Sequence, residues 1–422
     1  MQFLLRSFYN LKQDRFIRNI GWLGFSEVFI RVSRLVATVI LARFLTTEDY
    51  GLSAIVLTTY EFIRVFTRNG IIDKIVQADE AEVENVCRTA YSLNWLIAFF
   101  LFVVQVAGSF LIAHIYDNPR LILPICLIAL TYLIYPLGSI QMALLRRGNR
   151  FNIIALAMLT MVATDNVLTG LFALLGWGMW AIVLPKLLVA PILVGICCRY
   201  QTWRTNHSWS LAGWQPILKF AGNILGVEML TTVRENIDYL LIGRLVGVQA
   251  LGVYYFAFNA GLGISLSAIS AIRSSLYSDL CAVRSDPALF QQRYFKSLKT
   301  ITPIIITLVF LQSSLAPIYV PIVFGHQWVE RGALPVLILI CLSALSRPFA
   351  DAASLTLRAL GYPQIELRWN GIFTVILATA IWIGTGGGIT GAAIAVCATH
   401  LLLQPLYSLW ATHVVLGKLK TL

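Results

Sequence analysis

Charge is what this chain has least of. Only 12% of its 422 residues are Asp, Glu, Lys or Arg, about half the share found in soluble domains. Three stretches, 89–116, 121–145 and Trp369 to Gly417, carry none of the four. Together with a mean hydropathy of +0.77, this excludes a soluble globular domain and implies an all-α polytopic membrane protein. The seven cysteines show no CxxC or Cys/His spacing and lie mostly in apolar runs. They read as small buried hydrophobes, with no disulfide frame and no metal site. No GxxxxGK[ST] segment is present, so nucleotide hydrolysis is not expected, and no cofactor is implied. The N-terminal MQFLLRSFYNLKQDRFIRN has no small-residue cleavage site and reads as a basic interfacial segment, not a removable signal.

The charge that is present is placed unevenly. A net +12 would suggest a nucleic-acid partner in a soluble chain. Here Lys and Arg gather between apolar runs, which excludes that partner and follows the positive-inside pattern. Arg6, Lys12, Arg15 and Arg18 precede the first run, and Arg146, Arg147 and Arg150 follow the fourth. Arg199 and Arg204, then Arg284, Arg293, Lys296 and Lys299, then Lys418 and Lys420 mark later loops on the same side. Both termini are therefore expected in the cytoplasm, with the chain a multi-pass protein of the inner-membrane type. The acidic connector Asp79 to Glu84 fits this less well, although Asp and Glu count little in the rule.

Apolar runs predict spans over 19–45, 49–76, 89–116, 121–145, 151–174 and 179–198 in the first half. A polar, Trp-rich linker, Tyr200 to Trp214, leads to spans over 215–246, 250–280, 299–325 and 332–358. The charge-free run 369–417 divides at the glycine-rich Gly384 to Gly391 into two more, making twelve in all. The expected architecture is two pseudo-symmetric six-helix bundles, 1–205 and 206–422, forming a V-shaped cavity. An internal repeat supports the halves: Arg43-x7-Gly51-Leu52 matches Arg244-x7-Gly252-Val253, and LLRRG at 144–148 resembles LRALG at 357–361. Repeats six spans apart keep the same topology and suit a transporter that rocks one bundle against the other.

The stretch Arg31 to Arg68 carries the charge that matters most. It is two apolar runs folded about the polar turn Thr46-Thr47-Glu48-Asp49. On helices, Glu27, Arg31, Arg34 and Thr38 share one face, as do Glu61, Arg64 and Arg68. Arg34 and Glu61 lie about 18 Å from the turn, and Arg31 and Arg64 about 22 Å, so the stripes match in depth. Charges within a span face a bundle interior or a water-filled cavity. One reading is capture of a pyrophosphate, for which the planar guanidinium fork is suited. The other is that Glu27 and Glu61 pair with the arginines and hold the hairpin together. Four Arg against two Glu leave positive charge over.

Other charged residues stand within later spans. Glu228, Arg234, Glu235 and Asp238 place an acidic stripe and an i,i+4 pair on the seventh span. They are candidates for a proton or cation coupling site, or for a gate that pairs with the arginines of the first two spans. Asp165 and Lys186 lie at nearly equal depth and are expected to form a structural pair, a second substrate contact being the alternative. Arg347-Pro348 with Asp351 reads mainly as structural. Arg273 either meets a substrate head group or anchors the span end. The eleven tryptophans read mostly as interface anchors, and His326 and His400 are given no role.

The segments LARFLTTEDYGLSAI (41–55), NIDYLLIGRLVGVQALGVYYFA (236–257), VFGHQW (323–328) and LGWGMWAIV (175–183) resemble Wzx-type polysaccharide flippases. These belong to the multidrug/oligosaccharidyl-lipid/polysaccharide exporter superfamily. The resemblance covers nearly the whole chain. It implies a non-enzymatic flippase that moves an undecaprenyl-pyrophosphate-linked oligosaccharide from the cytoplasmic to the periplasmic leaflet for O-antigen, capsule or exopolysaccharide assembly. Its partners would be the lipid-linked substrate, the bilayer, and a polysaccharide polymerase with other assembly proteins. Related lipid II flippases carry cavity arginines on spans 1, 2 and 8, to which Arg31, Arg34, Arg64 and Arg273 look similar. Those proteins usually have fourteen spans, which argues against that branch. A cation-coupled drug exporter of the same superfamily is the first alternative, although its cavity should be acidic and aromatic. A membrane-bound polysaccharide polymerase or ligase is the second, but no periplasmic loop exceeds roughly ten residues on these spans.

Overall fold

In a computed structural model the described residues are 15–67, 71–204, 214–284 and 286–419. Side chains are described outside 15–28, 216–224, 227, 262–275, 278 and 415–419. Among these residues there are helices and no strands, as bilayer-spanning segments require when each must satisfy its own backbone. The first half runs α1 (Arg15–Phe44), α2 (Thr47–Arg64), α3 (Ile71–Gln77), α4 (Val83–Ile115), α5 (Ile122–Ala129), α6 (Thr131–Ile134), α7 (Pro136–Arg147), α8 (Phe151–Leu174) and α9 (Trp180–Tyr200). The second half runs α10 (Trp214–Leu245), α11 (Val248–Ala282), α12 (Pro287–Tyr319), α13 (His326–Glu330), α14 (Ala333–Ser343), α15 (Arg347–Ala359), α16 (Pro363–Gly384) and α17 (Gly388–Leu419). Among the described residues six helical stretches are long and apolar enough to cross a membrane, and a bent pair makes a seventh if it is one span. One of the six, Pro363–Val414, is 52 residues long and holds both α16 and α17, which pack against each other.

Several expected spans are broken in ways their sequences explain. The run 121–145 is divided, and the axis turns by 49° between Pro119–Ile134 and Pro136–Arg147. Pro136 has no N–H to continue the ladder and its ring clashes one turn back, so the bend falls there. The 332–358 span is interrupted between Ser343 and Arg347, with Pro348 in the first turn of α15, yet runs on as one stretch, Ala333–Ala359. The α1–α2 turn is held by a reciprocal cap. Thr46 N and Thr46 Oγ1 donate to Asp49 Oδ2 at 3.1 and 2.7 Å, and Asp49 N donates back to Thr46 Oγ1 at 3.1 Å.

The chain gathers into two compact units. The first takes Met1–Leu45 with Val56–Met229, the second Thr46–Ile55 with Leu230–Leu422. In the first, α1 packs on α8, where Asn166 Nδ2 donates to Ser33 Oγ at 2.7 Å. Gln105 of α4 donates to the Ile125 carbonyl at 2.9 Å and accepts from the Tyr132 hydroxyl at 2.8 Å. The Tyr132 ring stacks on Tyr60 with centroids 5.4 Å apart.

In the second unit the opening turns of α2 cross those of α11. The crossing is at the two glycines that the internal repeat sets equivalent. A Cβ on Gly51 would stand 2.0 Å from the Val248 carbonyl oxygen, and one on Gly252 would stand 1.8 Å from the Thr47 carbonyl oxygen. Only a residue without Cβ lets the backbones approach so closely. Beside the crossing, Trp328 is buried, stacks on Phe256 at 3.8 Å and meets Tyr50 edge-on at 5.1 Å. This tryptophan is a core residue, not an interface anchor. Arg331 Nη1 donates to Thr47 Oγ1 at 2.7 Å and closes the cluster.

Gly51→Ala and Gly252→Ala should each lower thermal stability in detergent, by about 1–3 kcal/mol from overpacking. Gly108→Ala, with nothing within 4 Å of its Cβ position, serves as the neutral comparison. A melting temperature unchanged in all three would mean that the crossing relaxes freely.

Candidate functional site

The basic stripe of α1 starts from how that helix is pinned. Ser33 faces α8 through Asn166, and Ala37 one turn on is buried. Arg31 is half-buried, while Arg34 is exposed. Glu27 lies among the residues whose side chains are not described, and Arg68 lies outside the described residues.

Arg64 closes the last turn of α2. Its Nε and Nη2 donate to Glu61 Oε2 at 3.1 and 2.7 Å, and Nη2 stands 2.6 Å from Oε1. Its guanidinium carbon lies 5.6 Å from the centroid of the Tyr60 ring. The i,i+3 pairing is the one the helical spacing allows. It occupies one side of the fork, and Nη1 makes no hydrogen bond among the described residues. That leaves donors for a second anion.

Arg64 lines a cavity of about 260 Å³ inside the first unit. Asn94, Tyr135 and Ser139 add polar atoms, and Met142, Met158 and Met161 are among the apolar lining. Asn94 Nδ2 donates to Ser139 Oγ at 3.1 Å, and Ser139 Oγ donates to the Pro136 carbonyl at 3.1 Å. Its wall takes Tyr132, Tyr135 and Pro136 from the bend of the run 119–147, with residues of α4 and α9 beside them.

Asp165 and Lys186 are brought together as an ion pair between α8 and α9. The carboxylate is nearly buried, at 10% side-chain exposure against 38% for the lysine, and Asp165 Oδ1 has no hydrogen-bond partner. Arg273 belongs to α11, but its side chain is not among those described.

The acidic stripe of α10 divides. Glu235 is exposed, Glu228 is half-buried, and Asp238 is buried in the second unit. The Tyr254 hydroxyl donates to Asp238 Oδ2 at 2.8 Å and the Tyr239 amide to Oδ1 at 2.9 Å. Arg234 Nη1 donates to Asn370 Oδ1 at 2.7 Å. Arg347 interacts electrostatically with Asp351, Asp238 and Arg234, and its Nε is buried without a hydrogen-bond partner. His400 is buried nearby, with Nδ1 2.9 Å from the Val396 carbonyl and its ring edge-on to Phe373 at 5.2 Å. Five helices thus meet in one intramembrane polar cluster of two Arg and two Asp. Sequence reasoning missed Tyr254, Asn370 and His400. For the last two the signal was their polarity within the charge-free run Trp369 to Gly417.

Residues 40–332 match the family model described as polysaccharide biosynthesis protein. The chain belongs to this family. A curated relative of this family member is the lipopolysaccharide biosynthesis protein WzxC of Escherichia coli (strain K12), 24% identical over 404 residues, 93% of this chain and 79% of the relative. The fold resembles that of solved transporters of the MOP superfamily. An inward-facing multidrug resistance MATE family transporter superposes with a TM-score of 0.78 at 14% identity, over 93% of this chain and 96% of its own. The lipid II flippase MurJ, inward closed, gives 0.75 at 12% identity over 94% and 89%. The family member is a multi-pass membrane protein, and the proteins it is similar to are transporters and flippases, not enzymes.

Lys186→Met should destabilise the protein because it strands a buried carboxylate, whereas Asp165→Leu/Lys186→Met should recover most of the loss. Thermal unfolding of the single and double variants reads this out. A double variant that is stable but fails in transport would instead make the pair a substrate contact.

Proposed function

We propose that this protein is a flippase. It carries an undecaprenyl-pyrophosphate-linked oligosaccharide from the cytoplasmic to the periplasmic leaflet of the bacterial inner membrane for surface polysaccharide assembly. It crosses the membrane twelve times with both termini cytoplasmic, as two six-helix bundles that alternate access to the two sides. The observation that supports the reading is Arg64, with half its fork committed to Glu61 and a place in the wall of a cavity of the first unit; the sequence adds Arg31 and Arg34 on α1. A pyrophosphate is a ligand that several planar, permanently charged donors hold best. The family's place in polysaccharide biosynthesis supplies the saccharide, and the MurJ likeness agrees with a lipid-flipping fold. The multidrug-transporter likeness does not turn the reading toward drugs, since 14% identity carries a fold and not a cargo.

Arg31, Arg34 and Arg64, with Arg273 on α11, are the residues proposed to hold the pyrophosphate. A charge-assisted hydrogen bond contributes about 1.5–3 kcal/mol, or roughly ten- to a hundredfold in affinity. Arg31→Ala, Arg34→Ala or Arg64→Ala should therefore cut surface polysaccharide by that order in a strain lacking its own flippase, with near-normal protein in the membrane. Lys in place of Arg should rescue part of the loss. Wild-type polymer from the triple Ala variant would overturn the site.

Glu228, Arg234, Glu235 and Asp238 are proposed to couple or gate the movement. Asp238 and Arg234 do so through the polar cluster of the second unit, where the states differ in how the two Arg and two Asp are shared. Asp238→Asn should slow transport in proteoliposomes without weakening substrate binding. A variant that transports at the wild-type rate would remove α10 from the coupling.

A further inference from the structure

The cavity beside Arg64 is unlike the rest of the basic site, because most of its lining is apolar. An engineered dry cavity of about 150 Å³ accepts benzene, six carbons. By that scale the 260 Å³ here holds roughly ten. A sugar ring of that size would bring several hydroxyls, each needing a partner. Of the polar side chains in the wall, Thr67, Asn94, Tyr132 and Ser139 are already hydrogen-bonded to protein partners, which leaves the Tyr135 hydroxyl and Arg64 to meet them. An apolar chain makes no such demand. Met142, Met158 and Met161 are the unbranched, polarizable side chains that adapt best to an irregular apolar guest. One cation stands in the wall, the Arg64 fork with Nη1 uncommitted.

The geometry points to a subsite for the proximal tail of the lipid carrier: about two isoprene units next to the pyrophosphate sit in the cavity of the first unit, while Arg64 holds the phosphate at its polar end. This rests on the flippase reading and adds what it lacks, a place that recognises the lipid and not only its charge. The chemistry required is an apolar chain with an anionic head. A phospholipid acyl chain shares that chemistry, and a branched, unsaturated isoprenoid differs from it in shape.

The test uses the full chain in lipid nanodiscs with geranyl pyrophosphate as probe, set against inorganic pyrophosphate and decyl phosphate. Geranyl pyrophosphate should bind at least tenfold tighter than either. Ala98→Phe, which fills the cavity wall, should bring its affinity down to that of inorganic pyrophosphate. A geranyl pyrophosphate analogue with a diazirine at the tail end should label Met142, Met158 or Met161, and excess geranyl pyrophosphate but not pyrophosphate should block the label. This second measurement stands if Ala98→Phe fails to fold. Equal binding of geranyl pyrophosphate and pyrophosphate overturns the proposal, because the tail is then not read. Equal binding of decyl phosphate also overturns it, in favour of a bulk-lipid site. A transport defect in Arg64→Ala with no adduct in the cavity overturns the tail subsite and leaves the flippase reading in place.

Discussion

An ionised side chain in hydrocarbon must find a counter-charge, a hydrogen-bond partner or water, and this constraint arranges the interior of both units. In the first unit Arg64 lies on Glu61 and Lys186 on Asp165. In the second, Arg358 grips Glu366 through two bonds of 2.5 and 2.7 Å, and Arg234, Arg347, Asp238 and Asp351 share one region. Two pairs differ from the rest in what they leave over. Asp165 Oδ1 and Arg347 Nε are buried and unbonded, and they are the atoms most exposed to rearrangement when the charges around them move. Arg64 leaves donors facing a cavity. A transporter needs polar groups whose pairing is incomplete, since a fully satisfied network has no reason to change partners.

The basic residues that the sequence offers as an orientation signal also finish its helices. Arg147 Nη1 bonds the carbonyls of Ile75, Val76 and Ala78 at the end of α3. Arg204 bonds those of Cys198, Gln201 and Trp203 at the end of α9, and Arg150 reaches the Tyr200 carbonyl at 2.9 Å. The last carbonyls of a helix lack intrahelical donors and carry the negative end of its dipole, so arginine answers both needs. Trp203 ties the start of the linker down, with Nε1 on Glu84 at 2.9 Å and its ring against Tyr91 at 5.9 Å. Part of the Lys and Arg asymmetry read as a topology signal is thus also local structural chemistry.

Helical membrane class, the rough placement of the helices, the polar turn at Thr46–Asp49 and the basic excess on α1 and α2 were all legible in the amino-acid sequence; the reciprocal cap that holds the turn was not. Each legible feature depends on composition or on spacing within a few turns, and a hydrophobic run or a 3.6-residue stripe is complete in itself. The sequence also set Gly51 and Gly252 at matching positions of its two halves. That the two glycines touch was not legible there, because similarity says nothing of contact.

The remaining features required the fold. Arg234 finds Asn370 across 136 residues of sequence, and Asn166 finds Ser33 across 133. Nothing local tells which way a helix is rotated in its bundle, so the stripe on α10 could not be divided into exposed Glu235 and buried Asp238 beforehand. The cavity beside Arg64 is lined from both sides of the 49° bend in the run 119–147 together with residues of α2, α4, α8 and α9. Sequence by itself determined which charges this protein sets inside the membrane. Tertiary structure decided which of them meet and what space they face, because pairing depends on helix rotation and on neighbours far away along the chain.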